Sequence, residues 1–215
     1  MIPVVAIVGK SGSGKTVLME KLIAEFKSRG LKVAAIKHAH KMVDMDTTGK
    51  DTWRFSQAGS DATVIASPSR ITVFANVKAE PGLDDAVRTL GQGYDIVLAE
   101  GFKSTKLPKI EVLKGDGEAP IFKETELYAI VSDEKLKFKI PRFERDDVEG
   151  IADFIEKDIV DNMPPDMEVT VNGKPIFLKP FVKDIIASSI LAMLSTLKKV
   201  GIIRRATILI RNKNV

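Results

Sequence analysis

A chain of 215 residues, 44% hydrophobic and 29% charged, can bury a substantial core and has the composition of a globular protein. Its formal charge of +4 is spread along the chain with few aromatic residues, which does not indicate nucleic-acid binding. Because the chain has no cysteine, a disulfide framework, a cysteine zinc site and a thiol nucleophile are excluded.

The apolar runs do not resemble targeting or membrane segments. Residues 1–10 lack a basic region and lead directly into a glycine-rich loop, which argues against a signal peptide. Ile185 to Leu197 is interrupted by serine and threonine and is too short to cross a bilayer. We therefore expect a cytoplasmic protein whose partners include neither a membrane nor nucleic acid.

The N-terminal residues predict a βαβ unit. Pro3 to Val8 is a continuous β-branched run, as in a strand buried on both faces of a parallel sheet. Apolar residues then recur at helical spacing from Val17 to Phe26, and Gly30 provides a helix stop. Val33 to Ile36 reads as a second buried strand, so the order implies a right-handed crossover in a parallel sheet.

The loop between the first strand and helix matches the P-loop pattern in full. Glycines allow successive N–H groups to point at phosphate oxygens, and the following helix adds its positive dipole end. Lys15 is expected to reach the β- and γ-phosphates, and the Thr16 hydroxyl to bind magnesium. A chance match arises roughly once in a hundred chains of this length. The predicted phosphate site consists of Gly9, Lys10, Ser11, Gly12, Ser13, Gly14, Lys15 and Thr16.

The chain then continues in an α/β pattern up to a proline pair. Lys37 to Gly59 is polar and indicates a functional loop ending in a short helix, Thr52–Gln57. Met163-Pro164-Pro165 marks the best domain boundary. Between them, strands are predicted at Ala62–Ala66, Ile71–Ala75, Tyr94–Ala99, Lys109–Leu113 and Tyr128–Val131, and helices at Gly82–Leu90 and Val148–Val160.

Beyond the prolines the pattern changes. Glu168–Val171, a turn at Asn172-Gly173 and Pro175–Leu178 predict a hairpin, followed by a helix at Phe181–Leu197 and a strand at Ala206–Ile210. We predict an α/β P-loop NTPase domain at residues 1–162, with a mostly parallel sheet flanked by helices. A small C-terminal α+β (ββαβ) appendage without an assigned role follows at residues 166–215.

A carboxylate follows the strand Tyr94–Ala99. Glu100 stands at the C-terminal end of this strand, where ligands of parallel sheets bind and where a P-loop protein needs a magnesium-linked carboxylate. The alternative is an ordinary polar strand terminus.

The polar loop that leaves the second strand can reach the γ-phosphate or a second substrate. His38 and His40 lack further zinc ligands, so a hydrogen-bonded or solvated role is favoured. Asp44 and Asp46 are candidate ligands or solvated loop residues.

Two basic residues follow in the same loop. Lys50 and Arg54 are four residues apart, share a helix face and suit an anionic ligand, although a solvated basic face is the alternative.

One further carboxylate could read a base. Asp133 follows the buried strand near the same sheet edge and could accept hydrogen bonds from N1–H and the amino group of guanine. The guanine motif Asn-Lys-x-Asp is absent, and a helix cap before Glu134 is an equal alternative.

Five segments, taken together, resemble the MobB family, the molybdopterin-guanine dinucleotide biosynthesis protein B. The resemblance covers about residues 1–160, and its Gly49–Arg54 and Glu100–Lys103 segments are more specific than the P-loop. The segments are Gly9–Thr16, Lys37–His40, Asp46–Ala58, Asp95–Lys103 with Pro108–Glu111, and Ala129–Asp133.

The resemblance implies a homodimeric GTP-binding protein with weak GTPase activity, assisting the enzyme that joins GMP to molybdopterin. Its cofactors would be GTP and magnesium, and its partners molybdopterin or the guanylyltransferase. Thr16, Asp46 and Glu100 would surround magnesium, with Lys15, Asp46 and Glu100 acting on the γ-phosphate. Lys50 and Arg54 would face the nucleotide or pterin phosphate.

Two other functions stay open. A P-loop kinase would transfer the γ-phosphate to a small metabolite, but it needs an arginine-rich lid, for which Lys135–Arg145 is the only candidate. A nucleotide-switched adapter would use the C-terminal appendage for docking.

Overall fold

The computed structural model divides the chain into two compact units, residues 2–161 and residues 162–215. The residues it describes are 2–39, 46–77, 79–91, 93–115, 117, 119–134, 139–160, 167, 169–172, 174–198, 203, 206, 208 and 210.

The first unit alternates strands and helices as the apolar pattern predicts. The elements predicted from the sequence agree in type and lie within one or two residues at their ends, and the predicted helix Val148–Val160 is α-helical to Phe154 and π-helical beyond it. The short strand Arg142–Phe143 and the 3-10 turn Glu124–Glu126 were not predicted. In chain order the elements are β1 (Val4–Val8), α1 (Lys15–Ser28), β2 (Val33–Lys37), α2 (Asp51–Gln57), β3 (Ala62–Ser67), β4 (Arg70–Ala75), α3 (Leu83–Leu90), β5 (Ile96–Glu100), β6 (Lys109–Val112), a 3-10 turn (Glu124–Glu126), β7 (Ala129–Val131), β8 (Arg142–Phe143) and α4 (Val148–Phe154), which continues as a π-helical segment (Ile155–Val160).

Six strands form one sheet in the order β2-β5-β1-β6-β7-β8, and every neighbouring pair is parallel. This confirms the predicted α/β fold. The strand before the glycine loop lies between β5 and β6, with Ile7 beside Glu100 and Val8 beside Glu111. Because parallel strands end at the same edge, the glycine loop, Glu100 and Asp133 all lie at or just after the ends of strands at one edge of the sheet.

The central strands are buried on both faces, which explains their continuous apolar runs. On one face α1 and α4 cover β1, and Leu22, Phe26 and Ile151 are fully buried there. On the other face, Leu83 of α3 and Phe102 pack against β1 and β5. The core therefore fixes β1 and α1, the two elements that carry the glycine loop.

The strands β3 and β4 form a separate antiparallel hairpin. The connection between them contains Ser67-Pro68-Ser69, residue types that favour turns, and Ser67 pairs with Arg70. Several apolar side chains of this hairpin are exposed, including Ile71 at 72%.

In the second unit, β9 (Val169–Val171) and β10 (Lys174–Ile176) form the predicted hairpin, and α5 spans Pro180–Ser195. Of the strand predicted at Ala206–Ile210, alternate residues lie outside the described part, and the described residues 206, 208 and 210 are not in a strand. Within the described residues, no helix is long and apolar enough to span a bilayer.

Candidate functional site

The glycine loop closes tightly against strand β6. Gly9 has φ +144°, and a Cβ there would lie 2.4 Å from the carbonyl oxygen of Val112 and 2.8 Å from Ser13 Oγ. The Ser13 side chain is fully buried, and its hydroxyl has no hydrogen-bond partner among the described residues. A buried hydroxyl without a partner, in a cradle that a methyl group would fill, fits the binding of a phosphate group.

Lys15 opens helix α1 and lies in a cluster of like charges. Its Nζ donates a hydrogen bond of 2.6 Å to the Lys10 carbonyl oxygen, so the side chain folds back along the loop. Burial lowers the pKa of Lys15, Glu100 opposes this, and Lys103 and Lys37 lower the pKa further. Nearby lysines raise the positive potential where an anion would sit.

Thr16 and Glu100, two of the predicted metal ligands, lie side by side. Thr16 Oγ1 donates a hydrogen bond of 3.2 Å to Glu100 Oε2, and Lys37 Nζ lies 3.5 Å from the same oxygen. The strand order produces this contact, because β5 lies between β1 and β2, with Lys37 in register with Glu100. Lys37 had no predicted role. Its position at the end of β2, a parallel strand of the same sheet, could have indicated that it lies near the phosphate site.

The hydroxyl and carboxylate oxygens are a suitable donor set for magnesium, which usually takes its other ligands from water and phosphate. Across the described ranges, no group of three or more histidine and acidic side chains could hold a metal ion. A metal bound beside Thr16 and Glu100 would therefore need further ligands beyond these two side chains.

The predicted loop residues lie just before helix α2 and within it. Asp46 Oδ1 accepts hydrogen bonds from Thr52 Oγ1 at 2.7 Å and from the Thr47 N–H at 2.9 Å. Lys50 directly precedes the helix, and the exposed Arg54 has Nη1 3.9 Å from Asp51 Oδ1. Asp46 thus holds the beginning of α2, and the metal and phosphate roles of this segment stay predictions.

The His38 side chain is part of a packed contact, which agrees with the hydrogen-bonded role. Its ring stacks on Phe102 with centroids 4.8 Å apart, and its Nε2 lies 3.1 Å from Glu80 Oε1. His40 and Asp44 lie outside the described residues.

Asp133 is paired with an arginine that sequence reasoning missed. Its Oδ1 accepts the Arg145 N–H at 3.0 Å, and its Oδ2 lies 3.2 Å from Arg145 Nε. Arg145 also donates from Nη1 to the Ser13 carbonyl oxygen at 3.2 Å and from Nη2 to that of Leu113. The helix that Asp133 could cap would include residues 135–138, which lie outside the described residues, so the cap stays a prediction.

Comparison with known proteins identifies a family. Residues 4–133 match the family model MobB, described as molybdopterin guanine dinucleotide synthesis protein B. The molybdopterin-guanine dinucleotide biosynthesis adapter protein of Escherichia coli (strain K12) is 35% identical over 161 residues, which are 72% of this chain and 92% of that protein. A Methanocaldococcus jannaschii relative with a provisional form of this name is 32% identical over 226 residues and 92% of each chain, which extends the similarity into the C-terminal unit.

Solved structures agree with these matches. A crystal structure of molybdopterin-guanine biosynthesis protein B (mobB) aligns with a TM-score of 0.55 and 30% identity, covering 73% of this chain and 99% of that one. The crystal structure of Bacillus subtilis MobB aligns with a TM-score of 0.58 and 26% identity, covering 74% and 98%. The chain, with its glycine loop at the edge of a parallel sheet, therefore belongs to the MobB family.

Proposed function

We propose that this protein is a GTP-binding adapter of molybdopterin guanine dinucleotide biosynthesis, with weak magnesium-dependent GTPase activity. It would assist the attachment of GMP to molybdopterin, in the cytoplasm, by contacting molybdopterin or its guanylyltransferase. The observation that carries the proposal is the 3.2 Å contact between Thr16 of the P-loop helix and Glu100. Names of the MobB relatives support the pathway. We assign nucleotide binding to residues 1–162 and regard residues 166–215 as an extension.

The residues present fit a nucleotide with its metal. The backbone of Gly9–Thr16 would hold the phosphates, and Lys15 would neutralise part of their charge. Thr16 and Glu100 would hold magnesium, which supplies charge stabilisation at the phosphates when bound, and Asp46 is proposed as a further ligand. Lys50 and Arg54 would meet the phosphate of the nucleotide or pterin.

The contacts of two arginines favour slow hydrolysis of the nucleotide over transfer of its γ-phosphate to a metabolite. Arg142 Nη1 donates to the Ser132 and Glu134 carbonyl oxygens, and Arg145 donates to carbonyl oxygens as well. Arginines engaged with backbone oxygens are poorly placed to stabilise charge on a γ-phosphate or to close a kinase lid. The described part of Lys135–Arg145 therefore favours the GTPase over the kinase.

A nucleotide panel tests this function. Wild-type protein is expected to bind magnesium–GTP in the micromolar range and ATP at least about tenfold more weakly. The reason is that the Asp133 carboxylate can accept hydrogen bonds from N1–H and the amino group of guanine, whereas adenine has no N1–H to donate. Titration calorimetry with GTP and ATP, with and without magnesium and molybdopterin, measures this. Equal affinities for GTP and ATP would contradict the guanine assignment.

The same titration examines the metal. Glu100→Gln is expected to reduce the gain in GTP affinity from magnesium by about tenfold, because the change removes a charged ligand and retains the shape of the side chain. Glu149→Gln is the matched control, since Glu149 is exposed on α4. A magnesium effect of wild-type size in Glu100→Gln would rule out Glu100 as a ligand.

We also propose that the β3–β4 hairpin is the surface of a homodimer. Alternate residues of paired strands share a face, and one face of this hairpin is apolar and exposed throughout. A two-stranded sheet is marginal alone, and exposed apolar patches mark interfaces. The residues of this face are Ala62, Val64, Ala66, Ile71, Val73 and Ala75.

Ile71→Asp is therefore expected to convert a dimer to a monomer, because it buries a charge in an apolar interface. Light scattering after size-exclusion chromatography gives the mass. Val77→Asp, at a residue 58% exposed outside the hairpin, is the control. A monomeric wild-type protein, or a dimeric Ile71→Asp, would contradict this surface.

A further inference from the structure

We propose that Arg145 is a positioning residue that sets both the phosphate loop and the Asp133 carboxylate for nucleotide binding. This inference rests on the nucleotide-binding function proposed above. Arg145 follows β8 at the carboxyl edge of the sheet and contacts the loops after β1, β6 and β7. Its side chain is 31% exposed, and its Nη1 and Nη2 donate to carbonyl oxygens. The buried Nε lies 3.2 Å from Asp133 Oδ2 and pairs with it by charge without a hydrogen bond.

The contact with the phosphate loop orients a peptide unit. The Ser13 carbonyl and the Gly14 N–H belong to the same peptide, and no peptide bond among the described residues is cis. In a trans peptide these two groups point in opposite directions. Because Arg145 Nη1 holds the Ser13 oxygen at 3.2 Å, the Gly14 N–H faces away from the arginine.

That N–H lies at the start of helix α1. Gly14 is the N-cap residue, so its N–H joins the unpaired donors of the first turn, which form the natural binding site of an anion. A Cβ on Gly14 would lie 3.1 Å from Arg145 Nη1. The glycine of the motif thus leaves room for the guanidinium, and the guanidinium fixes the loop peptide before a phosphate arrives.

The contact with Asp133 lies on the side of the sheet opposite the metal ligand. In the strand order, β5 with Glu100 flanks β1 on one side, and β6 and β7 follow on the other. Since the phosphate groups belong at β1 and the metal ligand is on the β5 side, we expect the nucleoside to extend towards β6 and β7. Arg145 bridges these two strand ends through the Leu113 carbonyl and Asp133.

The pairing leaves Asp133 able to bind a base. A carboxylate has about four acceptor positions, and residue 145 meets Oδ1 through its backbone N–H and Oδ2 through the guanidinium Nε. Only the second contact depends on the arginine side chain. The side chain is still 63% exposed, so lone pairs are accessible to donors such as the N1–H and amino group of guanine. A carboxylate fixed in advance loses less rotamer freedom when a ligand binds. Arg145 would therefore determine base discrimination as well as phosphate affinity.

The test separates these two effects with three probes: inorganic triphosphate, GTP and ITP, which lacks the 2-amino group of guanine. Titration calorimetry with magnesium compares wild-type protein with Arg145→Ala, Arg145→Lys and Arg88→Ala, an exposed control on α3 with the same charge change. Arg145→Ala is expected to bind triphosphate about tenfold more weakly, because a charged hydrogen bond is lost. Its ratio of GTP to ITP affinity is expected to fall towards unity.

Arg145→Lys separates positioning from charge. One ammonium group cannot contact two carbonyl oxygens and a carboxylate in a fixed geometry, as the planar guanidinium does. Arg145→Lys is therefore expected to restore neither the triphosphate affinity nor the ratio of GTP to ITP affinity. Full restoration by lysine would show that the charge alone matters and would overturn the proposal. Asp133→Asn provides a second variant, expected to lower the GTP to ITP ratio and leave triphosphate binding unchanged.

Each other outcome is decisive as well. Unchanged triphosphate affinity in Arg145→Ala overturns the role at the phosphate loop, and an unchanged GTP to ITP ratio overturns the role at the base. If wild-type protein binds triphosphate and does not prefer GTP to ITP, the proposed guanine specificity is wrong, and so is the role of Arg145 at Asp133. The triphosphate affinity of Arg145→Ala still tests the role of Arg145 at the phosphate loop. If Arg145→Ala does not fold, as judged by circular dichroism, Arg145→Lys and Asp133→Asn give the same decisions.

Discussion

Replacing Lys15 with alanine is expected to raise the Kd for magnesium–GTP by at least about a hundredfold. Each charged hydrogen bond to phosphate contributes about 1.5–3 kcal/mol, and the predicted lysine contacts two phosphates. Lys27→Ala is the matched control, because it removes the same charge from the last turn of the same helix. Titration calorimetry measures both, and GTP binding of wild-type strength in Lys15→Ala would contradict the phosphate site.

The affinity of the wild-type protein should also depend on pH in a particular direction. Burial and neighbouring lysines lower the pKa of Lys15 in the free protein. Only the protonated amine neutralises phosphate, so affinity is expected to fall as pH rises, beginning below the pH at which an ordinary lysine titrates. Lys15→Arg stays charged throughout this range and should flatten the decline.

Much of the site was predictable because its signals are local. The P-loop pattern lies within eight residues, between a β-branched run and an amphipathic helix, and both elements appear as expected. The contact between Thr16 and Glu100 is long-range in sequence, yet a general rule predicts it: carboxyl ends of adjacent parallel strands meet at one edge.

Arg145 was not predictable in this way. It follows β8, a strand of two residues that is too short to show any periodicity. Its contacts depend on β8 joining the end of the sheet beside β7, which no local pattern indicates. The hairpin β3–β4 is a similar case, because two apolar runs predicted its strands but did not indicate whether they would join the parallel sheet.

Glu111 shows how a family motif can include a structural residue. The sequence offered Pro108–Glu111 as part of the resemblance, and Glu111 is fully buried on β6. Its carboxylate accepts the N–H groups of Ile121 at 2.7 Å and Phe122 at 3.3 Å, and burial raises its pKa. The carboxylate thus holds a loop over a strand next to the phosphate loop, a contact that the sequence could not reveal.

Gly9→Ala is expected to lower the free energy of unfolding by about 4 kcal/mol and to abolish GTP binding. The backbone at φ +144° is strained for any residue with a side chain, which costs about 1–3 kcal/mol. The added methyl group would also lie 2.4 Å from the Val112 carbonyl oxygen, and such overpacking costs about 1–3 kcal/mol more. Urea unfolding followed by circular dichroism measures the stability.

Two other glycines separate strain from steric clash. Gly12 and Gly30 have φ +74° and +81°, and a Cβ at either would meet no described atom within 4 Å. Gly12→Ala and Gly30→Ala should therefore each cost only the backbone strain, about 1–2 kcal/mol. Gly30→Ala should leave GTP affinity unchanged because it lies beyond the far end of α1. Strand β6 cannot move away from an alanine at position 9 without breaking its pairing with β1. Equal free energies of unfolding for Gly9→Ala and Gly30→Ala would therefore contradict the close approach of the glycine loop to β6.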